Sequence, residues 1–487
     1  MFKTLILKEI HESILNFRFW LVSVLCLLLI PFGLYIASKD YQSRVLECQN
    51  EQNQYSEKTK GQVNDGLQAE GYFIPSPLSI LSSGFRDNLP YKAITSKDGF
   101  GRTEKKQVDN NLQSVLFGKI DFLFIVTNFL SLLALIFTFG SISAEKELGT
   151  IKLVLSNQVP RWKVILAKIT GNYIVFLAPF IISVIIGLIV VLWVAGINFL
   201  SAQYLGALSI ILLFTMLFIL MFFNLGIWAS VISKNTVTSI VILLFVWVII
   251  SLGIPRISPM VAQIIYPVKT EDVFRKEYQA LKWQIRDERD KKRRDLLEKL
   301  VDDNHINIDY SKGFPNLREI AEKQTNYSEL VKQIDEEYKQ KSTRELGNLE
   351  KDHQQKFDHQ ISIASNLSRI SPVSSYSFLT TELCNTGWLE LINCKETSQK
   401  FQNQVSSEIY SKFVELKYFL KGSSVSSTEP KKGVDTKNLQ VPVMTQYKPV
   451  SLSLIFKNTW PDFVLLIWYS VFFFAGAFVS FLRFDVR

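Results

Sequence analysis

The residues best placed to do chemistry sit in one short polar connection, Ser-Ala-Glu-Lys-Glu-Leu-Gly-Thr-Ile-Lys-Leu-Val-Leu-Ser, which starts at Ser143. Glu145 and Glu147 offer two carboxylates. Gly149 and Thr150 break the helix and supply a hydroxyl for a new N-terminus. Ile151 and Leu153 lie in a short apolar run. Pro160 and Arg161 mark a second turn, and Lys163 and Lys168 precede the next apolar stretch. Two carboxylates, a short helix and flanking cations suit docking to another molecule better than bond-breaking. Nothing else in the chain supplies a catalytic set. There is no Gly-x-x-x-x-Gly-Lys-Ser/Thr phosphate loop, no His-Glu-x-x-His and no Gly-x-Ser-x-Gly elbow. The chain has four His, and His353 and His359 are spaced to fall on different faces of a helix, which disfavours a zinc site. Of the four Cys, Cys26 lies in an apolar stretch. Cys384 and Cys394 either pair in an oxidising compartment or are unrelated thiols, because sequence spacing does not fix the Cα geometry.

The elements that must position these residues follow from hydropathy. The 487 residues are 48% hydrophobic and include 36 Phe, yet 269–302 and 318–361 are dense in charge. One shared core cannot hold both kinds of segment. Stretches of about 20 residues with almost no charge are long enough to cross a bilayer. They fall at 19–37, 122–143, 169–194, 205–233, 237–254 and 463–482. Residues 1–18 place apolar side chains at three- and four-residue intervals, the pattern of an amphipathic helix in the headgroup plane. Six spans put both termini on one side. The cations near Lys3, Lys146, Lys168, Lys234 and Arg483 mark that side as cytoplasmic. The same rule accounts for much of the formal charge of +9 through lipid headgroups, without nucleic acid. The expected fold is therefore an all-α membrane protein with six transmembrane helices, an N-terminal interfacial helix and a large, mainly helical extracytoplasmic domain.

Two inserts lie on the far side. The first, 38–121, opens with a polar helical stretch near 40–62. It continues through 71–93, a Pro- and Gly-punctuated loop expected to pack on the membrane surface. The second, 255–462, contains two charged arms without Pro, 270–302 and 317–365, joined by a turn-rich segment at 303–316. Sparse apolar stripes, Phe274 to Ile285 and Tyr327 to Ile361, predict a long antiparallel helical hairpin. The run 286–295 is expected to be a solvated face or a lipid- or polyanion-binding patch. Residues 371–388 suggest an interfacial helix, 390–421 another helix, and 422–438 a mobile linker. Inside the spans, Thr127, Asn128 and Ser131 either hydrogen-bond between helices or line a translocation path. No clear mid-membrane acid or base appears, which argues against ion-coupled transport.

The string from Glu145 to Lys168 resembles the segment after the second span of ABC-2-type transport permeases. Glu145, Glu147, Gly149, Thr150, Arg161 and Lys168 match that pattern, and the N-terminal helix and six spans are similar as well. The inserts look more like the subgroup with a large extracytoplasmic domain between the fifth and sixth spans. There, 75–84 and 371–387 would be recognisable segments. The resemblance implies a permease subunit that is not itself an enzyme and has no cofactor. ATP and Mg would sit on a separate cytoplasmic ABC ATPase subunit. Within the cytoplasmic coupling segment 144–168, residues 145–160 would be the coupling helix, with Glu145 and Glu147 pairing to basic groups on the ATPase and the apolar run as a buried anchor. A second copy or a paralogue of the permease and membrane lipids would complete the partners, with a lipid-like or peptidic export substrate. The competing expectation is a mechanical or signalling protein that moves its extracytoplasmic domain by the same ATPase coupling. A membrane-embedded enzyme is the least favoured.

Overall fold

The computed structural model describes residues 2–59, 68–96, 101–105, 120–156, 159–197, 202–303, 327–421 and 447–483. All but the first residue of the expected turn at 303–316, the linker at 422–438 and part of the short connection at 195–204 lie outside these residues. The chain forms two compact units, one of Met1–Pro255 with Arg369–Arg487 and one of Arg256–Ser368.

The first unit is a helical bundle. Helix α1 (Phe2–Leu15) is followed at once by α2 (Phe17–Thr59). Asn16 makes the break, its side-chain oxygen accepting from Arg18 N at 3.0 Å as the new helix begins. Helix α2 runs unbroken through the first span and on to Thr59, through most of the polar stretch expected to be helical. Its 43 residues reach about 65 Å at 1.5 Å per residue. The second span, α3 (122–138), contains a π-helical stretch, Ile125–Leu130. Asp121 caps it, accepting from Phe124 N at 2.7 Å. Then come α4 (Ser143–Glu147), α5 (Thr150–Ser156), α6 (Arg161–Ala195), α7 (Ala202–Ile232) and α8 (Thr236–Ile265). Helices α2, α6, α7 and α8, the 122–147 segment and α13 (Leu452–Leu482) are long and apolar enough to cross a membrane, six in all among the described residues.

The bundle core is aromatic. Phe176, Phe180, Phe218, Phe222 and Phe223 are fully buried. Phe223 meets Phe176 edge-on at 5.1 Å and Tyr173 at 5.5 Å. Gly226 of α7 sits against Thr138 of α3 so closely that a Cβ would overlap the hydroxyl, which fixes the approach of those two helices.

The first insert departs from expectation. It holds a three-stranded antiparallel sheet, with β1 (Gln68–Tyr72) and β3 (Gly101–Lys105) flanking β2 (Pro90–Ser96). Gln68 pairs with Ser96 and Thr95 with Gly101. Ala69, Phe73 and Ala93 pack on Cys394, Phe401 and Val405 of α12 (Trp388–Lys421). Residues 371–388 also differ from expectation. Helix α11 (Pro372–Leu383) is buried in the bundle, with Tyr376 stacked on Phe218 at 4.4 Å and its hydroxyl 2.8 Å from Thr215 Oγ1. Ser377, Thr380 and Thr381 of this helix each donate to a carbonyl one turn back, whereas the buried Ser375 Oγ has no partner among the described residues.

Of the two alternatives for Cys384 and Cys394, the structure has the unpaired one. All four are free, and Cys384 and Cys394 face different cores. Cys384 ends α11 against the bundle, while Cys394 lies beside Phe73 and Phe401 under the sheet. Burial pushes both thiols up from their ordinary range, which leaves them inert rather than reactive.

The second unit contains the two arms, α9 (Glu271–Asp303) and α10 (Tyr327–Ser368). They run antiparallel, since Glu288 meets Lys341, Lys292 meets Glu337 at 2.7 Å and Arg293 meets Asp335. Part of the charged run 286–295 thus pairs the arms. Ile285 and Ile334 are buried from the two predicted stripes. His353 stacks on Phe274 at 4.1 Å and His359 lies 4.7 Å from Tyr266, so the two imidazoles serve packing. No group of three metal-ligating side chains occurs among the described residues.

Candidate functional site

The 143–168 connection is positioned by polar contacts at nearly every turn. Its entry is a break in the second span, where the backbone N–H groups of Ile142 and Ser143 both donate to Ser230 Oγ of α7, at 3.0 and 2.9 Å. Helix α4 follows and stops at Gly149, whose φ of +72° is the left-handed conformation that glycine adopts without strain. Gly149 N donates to Lys146 O at 3.1 Å to close the turn, and α5 starts at Thr150.

Three charged side chains of this region reach the ends of other helices, and a fourth is held between two carboxylates. Lys146 Nζ donates to Val231 O and Ser233 O, at the C-terminal end of α7. Arg161 Nη1 donates to Leu482 O of α13 at 2.9 Å. Glu147 Oε2 accepts from Thr236 N at 3.2 Å and from Thr236 Oγ1 at 2.9 Å, at the N-terminal end of α8. Each sign matches the helix dipole it meets, cations at C-termini and the anion at an N-terminus. The fourth group is Lys168, whose side chain is only 4% exposed. Its ammonium donates to Glu145 Oε1 at 2.7 Å and to Glu9 Oε1 of α1 at 3.0 Å. Ser13 of α1 then donates to Asn172, which donates to Ser141 at 3.3 Å. The described ends of the chain, α1 and the last turn of α13, therefore meet at one face of the bundle.

This arrangement differs from the expected one at the carboxylates. Glu145 and Glu147 are engaged within the chain. The outward groups are apolar: Leu148 is 77% exposed and Leu153 is 70% exposed. Ile151 is 3% exposed and packs with Ile142, Val164 and Ile165. Thr150 and Pro160 are exposed, and Thr150 Oγ1 donates to Glu145 O at 3.4 Å. The face thus presents leucines on a platform whose charged side chains are paired within the chain. Sequence reasoning missed Lys168 as the hub. Its one visible signal was a Lys directly before an apolar span.

The three polar residues of the second span lie elsewhere. Thr127 Oγ1 donates to Leu123 O at 2.8 Å, and Asn128 Nδ2 to Phe124 O at 3.0 Å. Ser131 Oγ is buried and accepts from Trp247 Nε1 of α8 at 2.9 Å. Ser131 thus bonds to a neighbouring helix, the first of the two roles expected, whereas Thr127 and Asn128 bond within their own helix.

A family model described as an ABC-2 family transporter protein matches residues 3–486, and the chain belongs to that family. It is a multi-pass membrane protein and the transmembrane component of such a transporter. No curated protein matches it.

Proposed function

We propose that this chain is the permease subunit of an ATP-driven exporter in the cytoplasmic membrane, and that its 143–168 face is cytoplasmic and docks a separate ABC ATPase. The observation that carries this reading is the pair of exposed leucines, Leu148 and Leu153, on a segment tied to helices α1, α6, α7, α8 and α13. A binding cleft on the ATPase would bury both side chains. At about 25 cal/mol per Å² their burial supplies most of the contact energy, while the inward carboxylates keep the platform rigid. Movement of the ATPase would then reach several spans at once through Lys146, Glu147, Arg161 and Lys168. ATP and Mg belong to the partner in this reading, two permeases assemble as copies or paralogues, and the cargo is lipid-like or peptidic.

A second reading is favoured by one observation on the opposite part of the same unit. Arg369, just before α11, pairs with Asp462 of α13 at 2.6 Å, and Tyr469 donates to Arg369 O at 3.0 Å. A moving α13 would therefore carry the segment that leads out of α10, as a mechanical device requires.

The test is co-purification from native membranes. The ATPase subunit should accompany the wild-type chain. The double variant Leu148→Asp, Leu153→Asp should lose it at unchanged thermal stability. Retention of the subunit by that variant, or its absence from the wild type, counts against the docking role.

A further inference from the structure

At the same face lies a pocket of about 180 Å³, lined by α1, the end of α3 and the start of α6. One wall is Arg18. Its guanidinium lies over the Phe139 ring at 4.1 Å and beside Gly140, and it is half-buried. Among the described residues, no carboxylate or carbonyl accepts a hydrogen bond from it. A guanidinium taken partly out of water without an anion is costly, and phosphate oxygens satisfy its fork best. The remaining walls are not those of an anion site. Glu9, Glu12 and Glu145 line the pocket against Arg18 and Lys168, so the formal balance is negative by one. Glu9 and Glu145 share Lys168, Glu12 lies on the exposed side 3.3 Å from Lys8, and Glu145 Oε2 has no hydrogen-bond donor.

Position narrows the ligand further. Leu15, Phe17 and Trp20 flank Arg18 on the same stretch of chain and are 71%, 76% and 60% exposed. A helix junction with bare apolar side chains next to a charged pocket is the surface expected at a headgroup–acyl boundary. We propose that this pocket holds the headgroup of a zwitterionic phospholipid bearing a primary amine. Its phosphate sits on Arg18, its ammonium turns toward the Glu12 and Glu145 side, and its acyl chains lie along Leu15, Phe17 and Trp20. A purely anionic lipid would meet three carboxylates. A choline headgroup has no N–H to donate to them. The bound lipid would lock α1 onto α6 beside the Lys168 hub, whether or not the 143–168 face receives an ATPase.

Native mass spectrometry of the detergent-purified full chain tests this. Phosphatidylethanolamine, phosphatidylcholine and phosphatidylglycerol with the same acyl chains are titrated in parallel, with soluble phosphoethanolamine as competitor. The ethanolamine lipid should bind about tenfold more tightly than either other lipid, the worth of one charge-assisted hydrogen bond. The soluble headgroup should compete poorly. Arg18→Ala should abolish the preference. Gly140→Leu should do the same by filling the space beside the guanidinium, and the melting temperature shows whether each variant is folded. Equal binding of the three lipids, or a preference that survives in both folded variants, overturns the site. Full competition by soluble phosphoethanolamine overturns its assignment to a lipid.

Discussion

At the residue scale the decisive group is Lys168. Its side chain is 4% exposed, and those of Glu9 and Glu145 are 12% and 19% exposed. Three charges this far from water are tolerated only because each finds a partner. A buried pair is weak evidence of net stabilisation, but removing one partner leaves uncompensated charge. Lys168→Met leaves two carboxylates facing each other with no cation between them. The expected loss is about 3–5 kcal/mol, read as a clear fall in melting temperature of the purified protein. Adding Glu9→Gln and Glu145→Gln to that variant should recover much of the loss, since the like charges are gone. An unchanged melting temperature in Lys168→Met would remove the hub from the account. The residue types in this site were legible in the sequence: two carboxylates, a glycine turn and a lysine before a span. Their directions were not, because whether Glu145 faces solvent or Lys168 depends on where α6 packs.

At the scale of elements, the junction between α11 and α12 is controlled by Glu382. Its carboxylate accepts from Trp388 N at 2.7 Å and from Leu389 N, and so caps the start of α12. Burial pushes the Glu382 carboxyl up to about 7 despite those hydrogen bonds, and Glu390 and Asp462 add to the rise. In the unfolded chain the group titrates near 4.5. The folded state therefore binds more protons than the unfolded one between pH 4.5 and 7. The contribution of Glu382 is fully present below that window and is lost as pH rises through about 7. The difference in melting temperature between Glu382→Gln and wild type should accordingly shift in favour of the variant from pH 5 to pH 8. A difference that stays constant with pH would show that the cap is ionised throughout. Elements of this kind were only partly readable in the sequence. The spans and hairpin arms were readable, because charge-free stretches and Pro-free amphipathic stripes are long-range patterns. The sheet was hidden, since Gln68–Tyr72 has no alternating apolar pattern and β2 begins at a proline. Helix α11 looked interfacial because its hydroxyls are polar in sequence, and the back-bonds of Ser377, Thr380 and Thr381 appear only in the fold.

At the scale of the whole molecule, the two compact units are held by different forces. Helix α11 in the first unit has nine buried residues, among them Tyr376 with no exposed surface. The hairpin of α9 and α10 buries Ile285, Ile334 and Leu346 from its arms, stacks Phe274 on His353, and adds ion pairs. Those pairs keep a third or more of each side chain in water, where such a contact is worth about 0–1 kcal/mol and is weakened by salt. Local opening free energy follows buried apolar contact, so the hairpin should open far more readily than the bundle. Hydrogen exchange on the intact protein in detergent should show amides of α9 and α10 exchanging at least about two decades faster than those of Pro372–Leu383. Raising the ionic strength should speed the hairpin and leave α11 unchanged. The contrast also bears on mechanism. A stiff bundle and a more easily opened hairpin suit a membrane machine in which force enters through the spans and the hairpin adapts to whatever it meets. If α9 and α10 proved as slow as α11, the hairpin would be a rigid lever instead, and the ion pairs between its arms would have to contribute far more than exposed pairs do elsewhere.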